Sequence, residues 1–154
     1  KQRTSYHSNN NSIQEIYLGN AKNMDFISDS SVDFICTHPP YADIIRYSDS
    51  IPNDISLHNY SSFLLEMRKV AEECYRVLKP NHYCAFMIGD IRKNGNVIPL
   101  GFKLMEEFSK SKFILKEIII KEQHNCKYTS YWLNNDSMKR MYLLAHEYIF
   151  VFEK

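Results

Sequence analysis

The sequence predicts an α/β fold, and three observations carry that reading. Short runs rich in β-branched and aromatic residues recur along the chain, and YCAFMIGD at residues 83–90 is apolar almost throughout, as a strand buried on both faces is. Ahead of it, the apolar side chains of Tyr60, Phe63, Leu64, Met67, Ala71, Cys74, Tyr75 and Leu78 repeat at the spacing of one helical face. The resulting order of strand, strand, helix, strand, helix, strand, strand predicts a mainly parallel sheet with an antiparallel end.

The elements follow in chain order. KQRTSYHSNNNS, residues 1–12, is polar and reads as a flexible arm or linker, leaving residues 13–154 as one domain. IQEIYLGN gives a short strand at 16–18, closed by Gly19-Asn20. AKNMDFISDS has room for one helical turn before SVDFICT gives a strand at 32–37. That strand runs directly into His38-Pro39-Pro40-Tyr41. SDSIPNDISLHN is rich in turn formers and reads as a long surface loop. The helix from Tyr60 stops where Pro80 follows Lys79. DIRKNGN reads as a polar turn, and Pro99 suits the first turn of a short amphipathic helix carrying Leu100, Leu104, Met105 and Phe108. FILKEIIIKEQ and HEYIFVFEK are β-branched and aromatic, and read as two closing strands able to pair as a hairpin around a long excursion.

With 154 residues and 44% hydrophobic composition, the chain can bury one sizeable core. Its 19 basic and 18 acidic side chains leave a net charge of +1, so no overall field draws it to DNA, RNA or an anionic membrane. Any nucleic-acid contact must come from a local patch. The cysteines at 36, 74, 84 and 126 form no CxxC pair, so neither a zinc site nor a disulfide framework is indicated. Cys36, Cys74 and Cys84 sit among apolar residues, which suits buried free thiols and a reducing, cytoplasmic setting. No apolar run approaches the roughly 18 residues of a membrane span, and the polar start does not read as a signal peptide.

The chemistry points to residues 38–41. In open parallel sheets the functional crevice lies beyond the carboxyl ends of the strands, which is where this motif falls. Each proline fixes its own φ and holds the preceding residue extended, so the carbonyl groups of His38 and Pro39 are left free to face a ligand. A carbonyl and a side-chain acceptor together can hold both hydrogens of an exocyclic amine, while an adjacent tyrosine stacks on the ring that bears it. Such acceptors also stabilise the charge that develops on the nitrogen as it attacks a methyl group. A lone Pro-Pro-Tyr is most often a turn, and here the context of strand, motif, loop, helix and buried strand singles it out.

With that context, SVDFICTHPPY resembles the fourth motif of the amino-methyltransferases that modify adenine N6 or cytosine N4 in DNA, whose hallmark ends in Pro-Pro and an aromatic residue. IYLGNAKNM, ECYRVLKPNHYCAFMIGD and HEYIFVFEK are similar to that family's flanking strands and helix, so the resemblance covers most of residues 16–154. It implies a Rossmann-like methyltransferase fold that uses S-adenosylmethionine. Carried over to this chain, His38 and the Pro39 carbonyl hold the target amine and Tyr41 stacks on the flipped base, with Pro40 the remaining residue of the catalytic motif. Asn20 corresponds to a position near the adenine of the cofactor. Tyr128, Tyr131 and Trp132 are candidates to close the other face of the base, and with Lys127 they form a basic and aromatic segment suited to nucleic acid. The plain alternative for that segment is a solvated loop.

Three departures from the family pattern stand out. His38 replaces the usual Asp, Asn or Ser, which leaves adenine and cytosine both open as targets, and Asn20 replaces the usual Asp. A neutral imidazole can still accept one hydrogen bond through its bare nitrogen. The four glycines, at 19, 89, 95 and 101, form no glycine-rich cofactor turn. The expectation is therefore a catalytic half whose cofactor motif comes from a further segment or partner subunit. An RNA base methyltransferase, and a subunit that binds nucleic acid without catalysis, are the other readings.

Overall fold

The computed structural model describes residues 3–7, 13–44, 46–49, 51, 54–124 and 142–154. Strands β1 (Arg3–His7) and β2 (Ile13–Tyr17) pair antiparallel in a small separate sheet. The sequence predicts an arm at β1, and the strand register with β2 gives its backbone partners instead.

The main sheet has the order β3-β4-β8-β7, built from β3 (Val32–Thr37), β4 (Leu78–Ile88), β7 (Ile114–Glu122) and β8 (His146–Glu153). β3 and β4 are parallel, whereas β8 runs antiparallel to both β4 and β7. Three strands thus point one way, and β8 is inserted against them between β4 and β7. β7 is the edge among the described strands, pairing with β8 alone, and its exposed Lys116, Glu117, Lys121 and Glu122 are charges that discourage pairing with another chain. β4 starts earlier than the residue 83 expected from the sequence. Residues 79–82 bulge between its two pairing segments, with Asn81 at φ 60° donating to the carbonyl of Lys154.

Helix α1 (Tyr60–Val77) supplies the crossover between the parallel strands. It opens at Asn59, whose side chain accepts from the Ser62 N–H at 3.0 Å, and closes as Leu78 turns extended ahead of Pro80. Helix α2 (Leu100–Lys110) begins after Pro99, and the Gly101 N–H donates to Asp90 Oδ1 at 3.1 Å. Asp90 therefore serves as a helix cap. Both helices cover one face of the sheet. Cys84, Phe86 and Ile88 of β4 and Phe150 and Phe152 of β8 alternate onto that face, where Phe63, Met67, Leu104 and Phe108 meet them. Phe86 lies at the centre, 4.5 Å from the ring of Phe108 and 5.1 Å from that of Phe150. Gly101 keeps α2 close to β8, since a methyl group there would stand 2.7 Å from the Tyr148 ring. Arg68 Nε adds a 2.6 Å bond to Glu107 between the helices.

The segment read as a polar turn is a hairpin of β5 (Ile91–Lys93) and β6 (Asn96–Ile98). Its tip is Asn94-Gly95, with φ of 53° and 80°, the left-handed pair that a two-residue hairpin turn requires.

The opposite face of the sheet is apolar and open. Phe34 beside Tyr83, Cys36 beside Ala85, and Met87, Ile149 and Ile119 in one row all point there, with Phe34 57% and Ile119 49% exposed. Among the described residues, β3 pairs with β4 alone, so its other edge is free. No helix among the described residues is long and apolar enough to cross a membrane.

Candidate active site

Because β3, β4 and β7 share a direction and β8 opposes them, the ends of the first three and the start of the last meet at one edge. Residues 38–41 leave β3 there, Gly89 follows β4, Lys121 lies near the end of β7 and Glu147 near the start of β8. His38 is exposed, Pro39 buried and Pro40 half-buried. The chain then turns sharply at Ala42, fully buried at φ 49°, a left-handed conformation that a residue with a Cβ adopts only under constraint. That turn directs Tyr41 back over the strand ends.

Tyr41 Oη donates to Glu147 Oε1 at 2.6 Å and accepts from the Gly89 N–H at 3.0 Å. The approach at Gly89 is close, since a Cβ there would sit 3.4 Å from the Tyr41 ring edge and hydroxyl and 3.3 Å from the His146 carbonyl. Glu147 is buried and its other oxygen accepts from Lys121 Nζ at 2.7 Å. His38 Nε2 lies 3.4 Å from Tyr41 Oη and 3.7 Å from Glu147 Oε1. Burial, with the Glu147 charge behind it, pushes the Tyr41 hydroxyl well above the usual phenol range, so it stays a donor. Burial also pushes the Glu147 carboxyl up, but hydrogen bonds from Lys121, Tyr41 and Gln123 outweigh it and hold the group at about 2.

Glu66 is likewise held at about 2, by hydrogen bonds from Lys22 and Lys69. Both carboxyls lie below their ordinary 4.5, so the ionised forms favour the folded state. Their stabilisation is complete above pH 4.5 and is lost as the pH falls toward 2. Urea midpoints are expected to hold steady from neutral pH to about 5 and to fall below that, with a shallower fall in Glu147→Gln. Equal acid sensitivity in that variant would remove Glu147 from the account.

The structure thus brings His38, Pro39, Pro40 and Tyr41 together with groups the sequence did not single out: Glu147, Lys121 and Gly89. Asn20 stands apart, exposed, with Oδ1 accepting from the Lys22 N–H at 3.0 Å. It lines an open cleft of about 380 Å³ with Leu18, Gly19, Ile55 and Val70, bordered by Tyr47 and Ser48 of the segment that leaves the motif. Lys127, Tyr128, Tyr131 and Trp132 lie outside the described residues. Arg92 donates to the carbonyls of Gly95 and Tyr142, within its own hairpin and toward β8. Among the described residues no cluster of His, Cys, Asp and Glu has the makings of a metal site.

Residues 32–154 match the profile of a family described as DNA methylase, the N6 and N4 methyltransferases. The orphan methyltransferase M.BamHII of Bacillus amyloliquefaciens is 26% identical over 128 residues, covering 83% of this chain and 40% of that protein. The type II methyltransferase M.MjaI of Methanocaldococcus jannaschii is 26% identical over 167 aligned positions, 91% of this chain and 55% of that protein. Among solved structures, a Thermus thermophilus protein assigned as a DNA modification methylase superposes with a TM-score of 0.64 at 25% identity, covering 88% of this chain and 50% of that one. The same protein has been solved in complex with S-adenosyl-L-methionine. The cytosine-N4-specific PvuII DNA methyltransferase shares the fold with a TM-score of 0.69 at 15% identity, covering 89% of this chain and 48% of that one. The chain spans roughly half, or less, of the length of these proteins.

Proposed function

Since the chain belongs to the DNA methylase family of N6 and N4 amino-methyltransferases, we propose that it is the catalytic half of an enzyme that methylates the exocyclic amine of adenine or cytosine in DNA. The observation that carries this reading is the convergence of four strand ends on His38-Pro39-Pro40-Tyr41. His38 and the Pro39 carbonyl accept the two hydrogens of the amine, and the Tyr41 ring stacks on the flipped base. The hydroxyl bonds to Glu147 and Gly89 fix that ring in place before the base arrives, so less ordering is left for the binding step. Tyr128, Tyr131 and Trp132 close the far side of the base, and Lys127 meets a phosphate. Cys74 and Cys84 are buried free thiols as expected, Cys36 is a free thiol exposed on the open face of the sheet, and the three together support a cytoplasmic setting.

S-adenosylmethionine, when bound, supplies an electrophilic methyl group. The cleft beside Asn20 combines apolar walls with an amide, which suits the adenosine end of that molecule, and the described residues hold no glycine-rich turn for the methionine end. We assign the turn to a further segment or partner subunit. Its strands would extend the free edge of β3, and its helices would cover the face that exposes Phe34, Tyr83 and Ile119. The share of the relatives' length that this chain spans leaves room for such a half. Titration calorimetry of S-adenosylmethionine should give micromolar binding to the full-length protein and binding at least about a hundredfold weaker to residues 1–154 alone. Equal affinity would place the whole cofactor site in this chain and overturn the two-half reading.

A further inference from the structure

The hydrogens around Tyr41 can be counted. Its hydroxyl has one hydrogen, and that hydrogen is committed to Glu147, a carboxylate that can only accept. The Gly89 N–H occupies one lone pair of the same oxygen. His38 Nε2 therefore faces two oxygens, at 3.4 and 3.7 Å, neither of which has a hydrogen to offer it. A bare nitrogen there would meet only lone pairs, whereas an N–H finds acceptors. A neutral imidazole carries a single N–H, so placing it on Nε2 leaves Nδ1 bare.

We propose that Glu147 is a positioning residue that locks His38 in the Nε2–H tautomer, so that Nδ1 accepts a hydrogen of the target amine and takes the proton released on methylation. The inference rests on the methyltransferase reading above and adds to it a role for a strand residue outside the motif. As the amine nitrogen gains its bond to carbon, the sulfonium C–S bond breaks and its electron pair stays on sulfur. The nitrogen is left with one hydrogen too many. That proton passes to Nδ1, and the resulting imidazolium presents its Nε2–H to the Glu147 carboxylate. Among the described residues, the charged or titratable groups facing His38 are Tyr41 and Glu147, with Lys121 of β7 behind Glu147. His38 is 45% exposed on its side chain, so the proton can leave to solvent between turnovers.

The test is long-range 1H–15N correlation spectroscopy on the full-length protein with 15N-labelled histidine, the His38 signals being identified by their loss in His38→Asn. A single Nε2–H tautomer is expected in the native protein, a result that needs no further variant. In Glu147→Gln a mixture of tautomers is expected, with kcat about ten- to a hundredfold lower and KM for DNA within about twofold. An Nδ1–H form or an even mixture in the native protein would overturn the proposal, as would an unchanged tautomer in Glu147→Gln. Because the spectrum is read without substrate, a protein that transfers no methyl group at all would contradict the proposed function while leaving the tautomer decided on its own.

Discussion

Tyr41→Ala in the full-length protein is expected to reduce methyl transfer by at least about a thousandfold while leaving the fold intact. Loss of base stacking accounts for about 1–3 kcal/mol, and misplacement of neighbouring groups can remove a further hundredfold. Both apply here, because the tyrosine hydroxyl ties the motif to Glu147 on β8 and to the Gly89 N–H after β4. Without it, neither His38 nor the Pro39 carbonyl is held against the strand ends. Tyr41→Phe separates the two contributions, since it keeps the ring and removes only the hydroxyl anchor. A loss of about tenfold is expected for that variant. Steady-state kinetics with a circular-dichroism control for folding make the comparison, and near-native activity in Tyr41→Ala would remove the residue from the site.

The largest effect on stability is expected at Phe86. Its ring is fully buried and packs against Phe108, Phe150 and Phe152, with centroids 4.5, 5.1 and 5.7 Å away. Truncation to alanine leaves a cavity bounded by both α2 and β8, and should cost about 3–5 kcal/mol. That is a large part of the roughly 5–15 kcal/mol typical of a whole domain, so the urea midpoint should fall steeply. Phe34 gives the contrast. It is 57% exposed on the open face, so Phe34→Ala should change the stability of residues 1–154 by less than about 0.5 kcal/mol. In the full-length protein the same substitution should cost about 2 kcal/mol or more, because the completing half is expected to bury that face. Equal, small effects in both would argue that this face stays open.

Much of this was legible in the sequence, for physical reasons that differ by element. α1 was legible because its apolar face repeats without a break from Tyr60 until Pro80. β4 was legible because residues 83–88 are apolar almost throughout, although the structure covers only one of its faces with helices and leaves Tyr83 42% exposed on the other. The His38-Pro39-Pro40-Tyr41 segment showed itself by breaking a strand with residues that cannot continue one. Glu147 was hidden by its distance in sequence. It lies 106 residues from Tyr41 and 26 from Lys121, and only the register that places Lys121 opposite Glu147 brings the three together. The β5-β6 hairpin was missed although Asn94-Gly95 is a strong turn signal, because its flanking strands are three residues each and too short to show alternation. The insertion of β8 between β4 and β7 is a property of packing and not of local pattern. Its trace in the sequence is the contrast between the exposed charges of β7 and the buried Tyr148, Phe150 and Phe152 of β8.

The most direct test of the account is to incubate the full-length protein with S-adenosylmethionine and unmethylated duplex DNA of mixed sequence, digest the product to nucleosides and identify any methylated base by mass spectrometry. The expected product is DNA carrying N6-methyladenine or N4-methylcytosine from the native protein, and none from Tyr41→Ala. Methyl groups found on RNA and not on DNA in a parallel incubation, or on a carbon atom of the base instead of the exocyclic amine, would contradict it.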